Sequence, residues 1–254
     1  MGELPAYVIL GRGRWANKMQ PIIAGEGRTV TAIEETRQGA FETPPNYISR
    51  LAGAIKASRA QIAWLCVSPG PHVSLMIRAA LEADSHVIVE KPWYGSAADT
   101  ERLQALARTK RRLLAIHFEY LLHPEVENWK RNFGPGAALR FGGNFFLGRP
   151  DPTGIPTMDN LGSHLFAIRE FAVPSSEICE VRCAYERPEE RLVWLEHGGR
   201  RIASINLFQG SDRIIQEFMK KVEAARDAAV FPFDLDFALR VADQINAFKA
   251  RRSA

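Results

Sequence analysis

The chain has 254 residues, of which 46% are hydrophobic and 24% charged, with 19 Gly and 15 Pro. This composition belongs to a globular chain that can bury a core as one large domain or two small ones, and it excludes disordered, collagen-like and disulfide-stapled classes. The 33 basic and 29 acidic residues leave a net charge of +4. That is too dispersed for a nucleic-acid face, since the basic runs at Lys110, Arg111 and Arg112 and at Lys249, Arg251 and Arg252 read as solvated ends.

Three cysteines, Cys66, Cys179 and Cys183, cannot build a disulfide framework, and the chain opens without the basic-then-apolar pattern of a leader. A reducing cytoplasm is the expected setting. No apolar run nears the ~20 residues that span a bilayer, so no membrane partner is expected.

The first ~120 residues alternate short apolar, β-rich runs at 6–10, 29–33, 62–67, 86–89 and 113–118 with helical patterns, the signature of parallel βαβ units. The runs are apolar on both faces, as buried parallel strands should be. Helices are expected after the first run and at 47–58, 72–83 and 97–109, the last opened by Ser96 with Asp99 three residues on. Pro21 predicts a kink or early break in the first helix. Few residues separate Glu35 from Ala40, too few for a crossover helix before a next strand, so that connection is expected to be shortened or to lack its helix.

Beyond Phe118 a helix is expected at 124–132, then antiparallel strands with one wet face at 138–147, 178–185, 192–196 and 201–208. A Gly- and Pro-rich stretch at 148–156 precedes a short helix at 160–171, and helices at 212–225 and 235–251 close the chain. The expected fold class is α/β: an N-terminal Rossmann-type parallel sheet over residues 1–118, then a C-terminal α+β domain on a mainly antiparallel sheet over 119–254.

The first strand leads directly into Gly11-Arg12-Gly13-Arg14-Trp15-Ala16. Gly11 permits a tight turn, Gly13 lets backbone amides approach a diphosphate, Ala16 allows close helix-to-strand packing, and the helix N-terminus favours the anion. Glu34 and Glu35 follow about 20 residues on, where a carboxylate accepts hydrogen bonds from the adenosine ribose. Arg37 could instead hold a 2′-phosphate, so the cofactor is NAD or NADP, with NAD preferred. Two further segments end strands at the carboxyl edge, where open α/β sheets hold ligands: Ser68-Pro69-Gly70-Pro71-His72 and Glu90-Lys91-Pro92.

Together these residues resemble the Gfo/Idh/MocA family, the relatives of glucose-fructose oxidoreductase and inositol dehydrogenase. The resemblance rests on Gly11 to Ala16, Ser68 to His72, residues 80–92, residues 118–124 and Asn160-Leu161-Gly162-Ser163-His164, and is looser beyond Arg140. It implies that Lys91 contacts the nicotinamide ribose and the reacting oxygen. It also implies that Arg12, Arg14, Trp15, Ser68, Pro69, His72 and Pro92 line the cofactor, with Glu90 near the nicotinamide. His117, Glu119, Tyr120 and His123 fall at the junction where family members place substrate contacts, and period two would turn His117 and Glu119 to one face. The family pairs an Asp with a His one turn later. Here His164 stands, but Asn160 replaces the Asp and Ala167 replaces a further acid.

An amide hydrogen-bonds but does not titrate near neutrality. Asp159 is no simple substitute, since one residue rotates a helical side chain by about 100°. His164 is the leading general acid/base, its ordinary pKa lying near 6.5, with a satisfied core histidine as the alternative. Lys91 could serve if burial lowers its pKa. Asn160 joins these two as a catalytic candidate and, with His164, as a substrate contact. No metal site is expected, because Cys179 and Cys183 lack partners at ligand spacing.

The resemblance therefore predicts an oxidoreductase moving hydride between NAD(P) and a sugar, cyclitol, keto or imine intermediate, working as a homo-oligomer through its second sheet. The alternative is a nucleotide-binding sensor or partner subunit that kept the fold and lost turnover.

Overall fold

A computed structural model describes residues 4–133, 138–151, 154–208 and 211–253. Pro152 and Thr153 of the Gly- and Pro-rich stretch lie outside the described residues. The chain forms two compact units, one from Met1–His117 and Met219–Phe237, the other from Phe118–Phe218 and Ala238–Ala254. A single boundary near Phe118 contains no such return of the chain.

The first unit runs β1 (Tyr7–Leu10), α1 (Arg14–Gly25), β2 (Val30–Ile33), α2 (Pro44–Ala57), β3 (Ile62–Leu65), α3 (His72–Glu82), β4 (His86–Glu90), α4 (Ala97–Lys110) and β5 (Leu114–His117). All pairings are parallel and the order is β2-β1-β3-β4-β5. This order switches direction between β1 and β3, the point at which such sheets open a ligand crevice. β1, β3 and β5 are buried end to end. β2 corrects the expectation of burial on both faces: as the edge strand it leaves Thr31 in solvent. The β5 edge is met by the returning segment, where the Ile116 amide donates to the Phe233 carbonyl at 2.6 Å.

Two further expectations are corrected. The connection from β2 to β3 does carry its crossover helix, α2, opened by Pro44 and Pro45. Residues 34–43 hold no strand but a turn, in which the Glu42 amide donates to the Gly39 carbonyl at 3.0 Å. Nor does Pro21 end α1, which continues to Gly25. The lost Pro21 N–H is outweighed by burial of Ala16, Met19 and Ile23 on either side of it.

The second unit opens with a 3₁₀ turn (Glu119–Leu122), followed by α5 (Pro124–Asn132), β6 (Arg140–Leu147), α6 (Thr157–Asn160), α7 (Gly162–Ala172), β7 (Glu177–Tyr185), β8 (Glu190–His197) and β9 (Arg200–Asn206). Two helices follow, α8 (Ser211–Ala225) and α9 (Leu235–Ser253). The sheet order is β7-β6-β8-β9. β8 pairs antiparallel on both sides, but β6 and β7 are parallel, correcting the antiparallel reading of that strand. The physical reason is the helical crossover through α6 and α7, which returns the chain in the same direction. The single helix expected at 160–171 is divided at Leu161. Gly142 of β6 faces Trp194 of β8, and a Cβ there would sit 2.2 Å from the indole, so only glycine lets that ring lie against the strand. Among the described residues no helix is long and apolar enough to cross a membrane.

Candidate active site

The carboxyl edge of the parallel sheet is built from its turns. Gly11 takes φ +123°, and its amide donates to the Ile33 carbonyl at 3.0 Å. A Cβ at Gly11 would lie 2.5 Å from the Cys66 carbonyl oxygen, so the approach of this turn to the end of β3 requires glycine. Gly13 caps α1 without any side-chain bond, and the first turn carries no acid. The amides of that turn therefore remain available to an anion, favoured there by the helix dipole. A Cβ on Gly13 would meet nothing within 4 Å. This open, uncapped cradle fits the diphosphate of a dinucleotide. Arg12 and Arg14 are exposed beside it and Trp15 is half-buried.

Past β2, Glu34 and Glu35 are exposed, and the Arg37 amide donates to Glu35 Oε1 at 3.4 Å. The loop is fastened from α2. Arg50 pairs with Glu42 at 2.8 Å and donates to the Arg37 carbonyl at 3.0 Å, while the Tyr47 hydroxyl donates to the Thr36 carbonyl at 2.7 Å. Burial pushes the Tyr47 phenol up to about 12.

Beyond β3, Ser68 is exposed, Pro69 half-buried, and His72 is the exposed first residue of α3. A shallow depression lies here, lined by Val67, Pro69, Glu90, Pro92 and Tyr94 among others. Lys91 is half-buried, and the Lys91–Pro92 peptide is cis. Glu90 turns inward: its Oε1 receives the indole N–H of Trp15, that of Trp64 at 2.9 Å, and faces His117 Nδ1 at 3.0 Å. His117 is fully buried, edge-on to Trp64 with ring centroids 4.9 Å apart. The shared parity of His117 and Glu119 does not hold, because β5 ends at His117 and Glu119 begins the 3₁₀ turn.

In the second unit His164 is buried on α7, stacked on Phe145 at 5.0 Å and edge-on to Tyr120 at 4.8 Å. Asn160 Nδ2 donates to the Tyr185 hydroxyl at 2.7 Å. Asp159 turns to α9, pairing with Lys249 at 2.5 Å. Glu119 is buried in the 3₁₀ turn. The Tyr120 hydroxyl accepts from Arg191 at 2.9 Å, and burial raises its phenol above the ordinary range. His123 caps α5 through Nδ1, and burial lowers its pKa.

Three neighbours escaped sequence reasoning. Trp64 and Arg191 carry no motif, and Tyr185 ends a strand whose packing only the fold reveals. Cys179 donates to the Phe141 carbonyl at 3.2 Å, and among the described residues no three ligand-type side chains gather as a metal site.

Residues 7–118 match the model of an oxidoreductase family with an NAD-binding Rossmann fold, Gfo/Idh/MocA. The matched stretch spans the whole parallel sheet, β1 to β5. A dTDP-3,4-didehydro-2,6-dideoxy-alpha-D-glucose 3-reductase from Saccharopolyspora spinosa is 49% identical over 60 residues, which are 24% of this chain and 18% of that protein. The match thus spans about a fifth of that relative. Among solved structures, a UDP-N-acetylglucosamine 3-dehydrogenase from Acidithiobacillus ferrooxidans aligns over 96% of both chains, with TM-score 0.74 and 13% identity. A 3-ketoreductase from Actinomadura kijaniata, solved with TDP-benzene and NADP, also aligns over 96% of both chains, with TM-score 0.68 and 16% identity. At such identity these structures establish the fold alone.

Proposed function

We propose that this Gfo/Idh/MocA chain is an NAD(P)-dependent oxidoreductase acting on a CH–OH or C=O group, or a C=N group, of a small biosynthetic intermediate. Sugars lead the candidates, and a nucleoside-diphosphate-linked sugar handled at C3 is the first to test, since relatives named for that chemistry share the fold. The observation that carries the reading is the uncapped α1 N-terminus behind Gly11, lying on the same sheet edge as Lys91. When bound, the nicotinamide takes up or supplies the hydride at C4. In the oxidative direction Lys91 or His164 accepts the proton of the substrate hydroxyl as the carbon loses its hydride, leaving a carbonyl; reduction runs the same transfers in reverse. Asn160 contributes hydrogen bonds to the substrate.

Gly11 to Trp15, Ser68, Pro69, His72, Glu90, Lys91 and Pro92 are proposed to frame the cofactor, with Glu34 and Glu35 at its ribose. Their charge disfavours a 2′-phosphate, which supports NAD over NADP. Residues 1–118, completed by the returning segment 219–237, would supply the cofactor domain, and the rest of 119–254 the substrate contacts His164, Asn160, Glu119 and Tyr120 and the sheet of a homo-oligomer. His117, buried against Glu90, would support the cleft from beneath. The proposed setting is the cytoplasm.

A second reading, a nucleotide-binding subunit without turnover, is supported by Asn160 in the family's Asp position, with its amide already engaged by Tyr185. Calorimetric titration with NAD, NADH, NADP and NADPH, then turnover on dTDP- and UDP-linked 3-hydroxy and 3-keto hexoses, separates the two. Turnover abolished by Lys91→Ala, with nucleotide binding retained, is the expected result. Indifference to all four nucleotides would overturn both readings.

A further inference from the structure

Four elements of the first unit converge on one carboxylate oxygen. Trp15 comes from the first turn of α1, Trp64 from β3, Glu90 from the end of β4 and His117 from the end of β5. Trp64 pairs with Ile88, two residues before Glu90, and Glu90 pairs with His117. With period two, these side chains share one sheet face. Trp15 reaches the same oxygen from the helix that follows the glycine turn. An ionised carboxylate only accepts, and hydrogen bonds to it belong to the stronger, charge-assisted class. The Glu90 side chain is 11% exposed and His117 0%, so water competes little for these bonds.

The consequence is mechanical. Trp15 lies between Gly13 and Asn17, the residues joined by the first bond of α1, so pinning its indole pins the turn whose amides meet the diphosphate. The anchor is the residue immediately before Lys91. We propose that Glu90 is a positioning residue of the cofactor site: through the Trp15 indole its carboxylate ties the anion-binding turn of α1 to the strand end that carries Lys91, with Trp64 and His117 holding that carboxylate in place. The inference rests on the proposed function and adds to it a residue role and a direction of action. Preorganising a binding turn in this way improves affinity by reducing the ordering that the ligand must impose.

The test uses the full chain with NADH and NADPH as probes. Trp15→Phe keeps an aromatic ring at a half-buried position while removing the indole donor, Glu90→Gln keeps shape and removes charge, and the double variant closes a cycle. Thermal unfolding verifies that each variant is folded. For the preferred nucleotide, each single variant is expected to raise Kd about tenfold, with the double variant no weaker than the weaker single. In an NMR spectrum of the five tryptophan indoles, Glu90→Gln should displace two N–H signals, and Trp15→Phe should delete one of those two. Folded variants with unchanged Kd overturn the proposal. So does full additivity, which would make Glu90 a ligand in its own right. A wild-type chain that binds neither nucleotide overturns the proposed function and this inference with it, whereas a binding wild type matched by its variants overturns this inference alone.

Discussion

His86 opens β4 with Nδ1 accepting the Leu113 amide at 3.0 Å, a bond that only a neutral imidazole can accept in that direction. Burial first, then the Arg112 and Arg226 charges, lowers its pKa to about 4 from an ordinary 6.5. The folded state thus resists a proton that the unfolded chain takes up, so His86 costs no stability above pH 6.5 and a growing amount as pH falls from 6.5 toward 4. His86→Gln should flatten that part of the stability profile, measured by denaturant midpoints across pH; identical slopes would refute the assignment. Glu223 is the other residue with a sharp expectation. It receives the Tyr7 hydroxyl at 2.6 Å and two guanidinium bonds from Arg28 at 2.6 and 2.9 Å, and the Arg28 and Glu223 side chains are only 5% and 11% exposed. Burial, then Glu223 itself, holds the Tyr7 phenol well above its ordinary pKa. Glu223→Ala removes the two-pronged partner of a buried cation, leaving it the Glu26 carboxylate at 3.7 Å, and should cost about 3 kcal/mol in urea unfolding; a loss below about 1 kcal/mol would show the pair to be incidental.

At the level of elements, local rules were dependable wherever local groups do the stabilising. α4 starts as Ser96 and Asp99 predict, with Ser96 Oγ accepting the Asp99 amide at 3.1 Å. The Asp99 carboxyl is held below its ordinary pKa by Ser96 and then Arg102. Ser96→Ala should lower stability by about 1 kcal/mol without touching nucleotide binding, and an unchanged melting temperature would show that packing alone sets this helix end. The local rules failed at α1 and α7. Pro21 could not announce that Met19 and Ile23 bury on either side of it, and the helical pattern of 160–171 hid a break at Leu161 that puts Asn160 and His164 on separate helices. The absent-helix expectation after β2 failed because residues 34–43 form a turn and no strand, and the crossover helix follows it at Pro44–Ala57.

For the whole molecule, the return of Met219–Phe237 to the first unit means that the cofactor layer is not a continuous stretch of chain. It brings Phe233 to the edge of β5 and Glu223 to Arg28. A fragment of residues 1–118 should therefore melt well below the full chain and bind nucleotide more weakly, while addition of the preferred nucleotide at about 100 times Kd should stabilise the full chain by about 2.7 kcal/mol. A fragment as stable as the full chain would remove the return segment from the account. The parallel layer and its glycine turn were legible from one dimension because short continuous apolar runs, Gly11, Gly13 and the Glu90-Lys91-Pro92 turn act over a few residues each. The parallel β6–β7 pairing, the indole cage around Glu90 and the latch at Glu223 were not, because each joins groups between 26 and 216 residues apart, whose meeting is set by packing rather than by any local pattern.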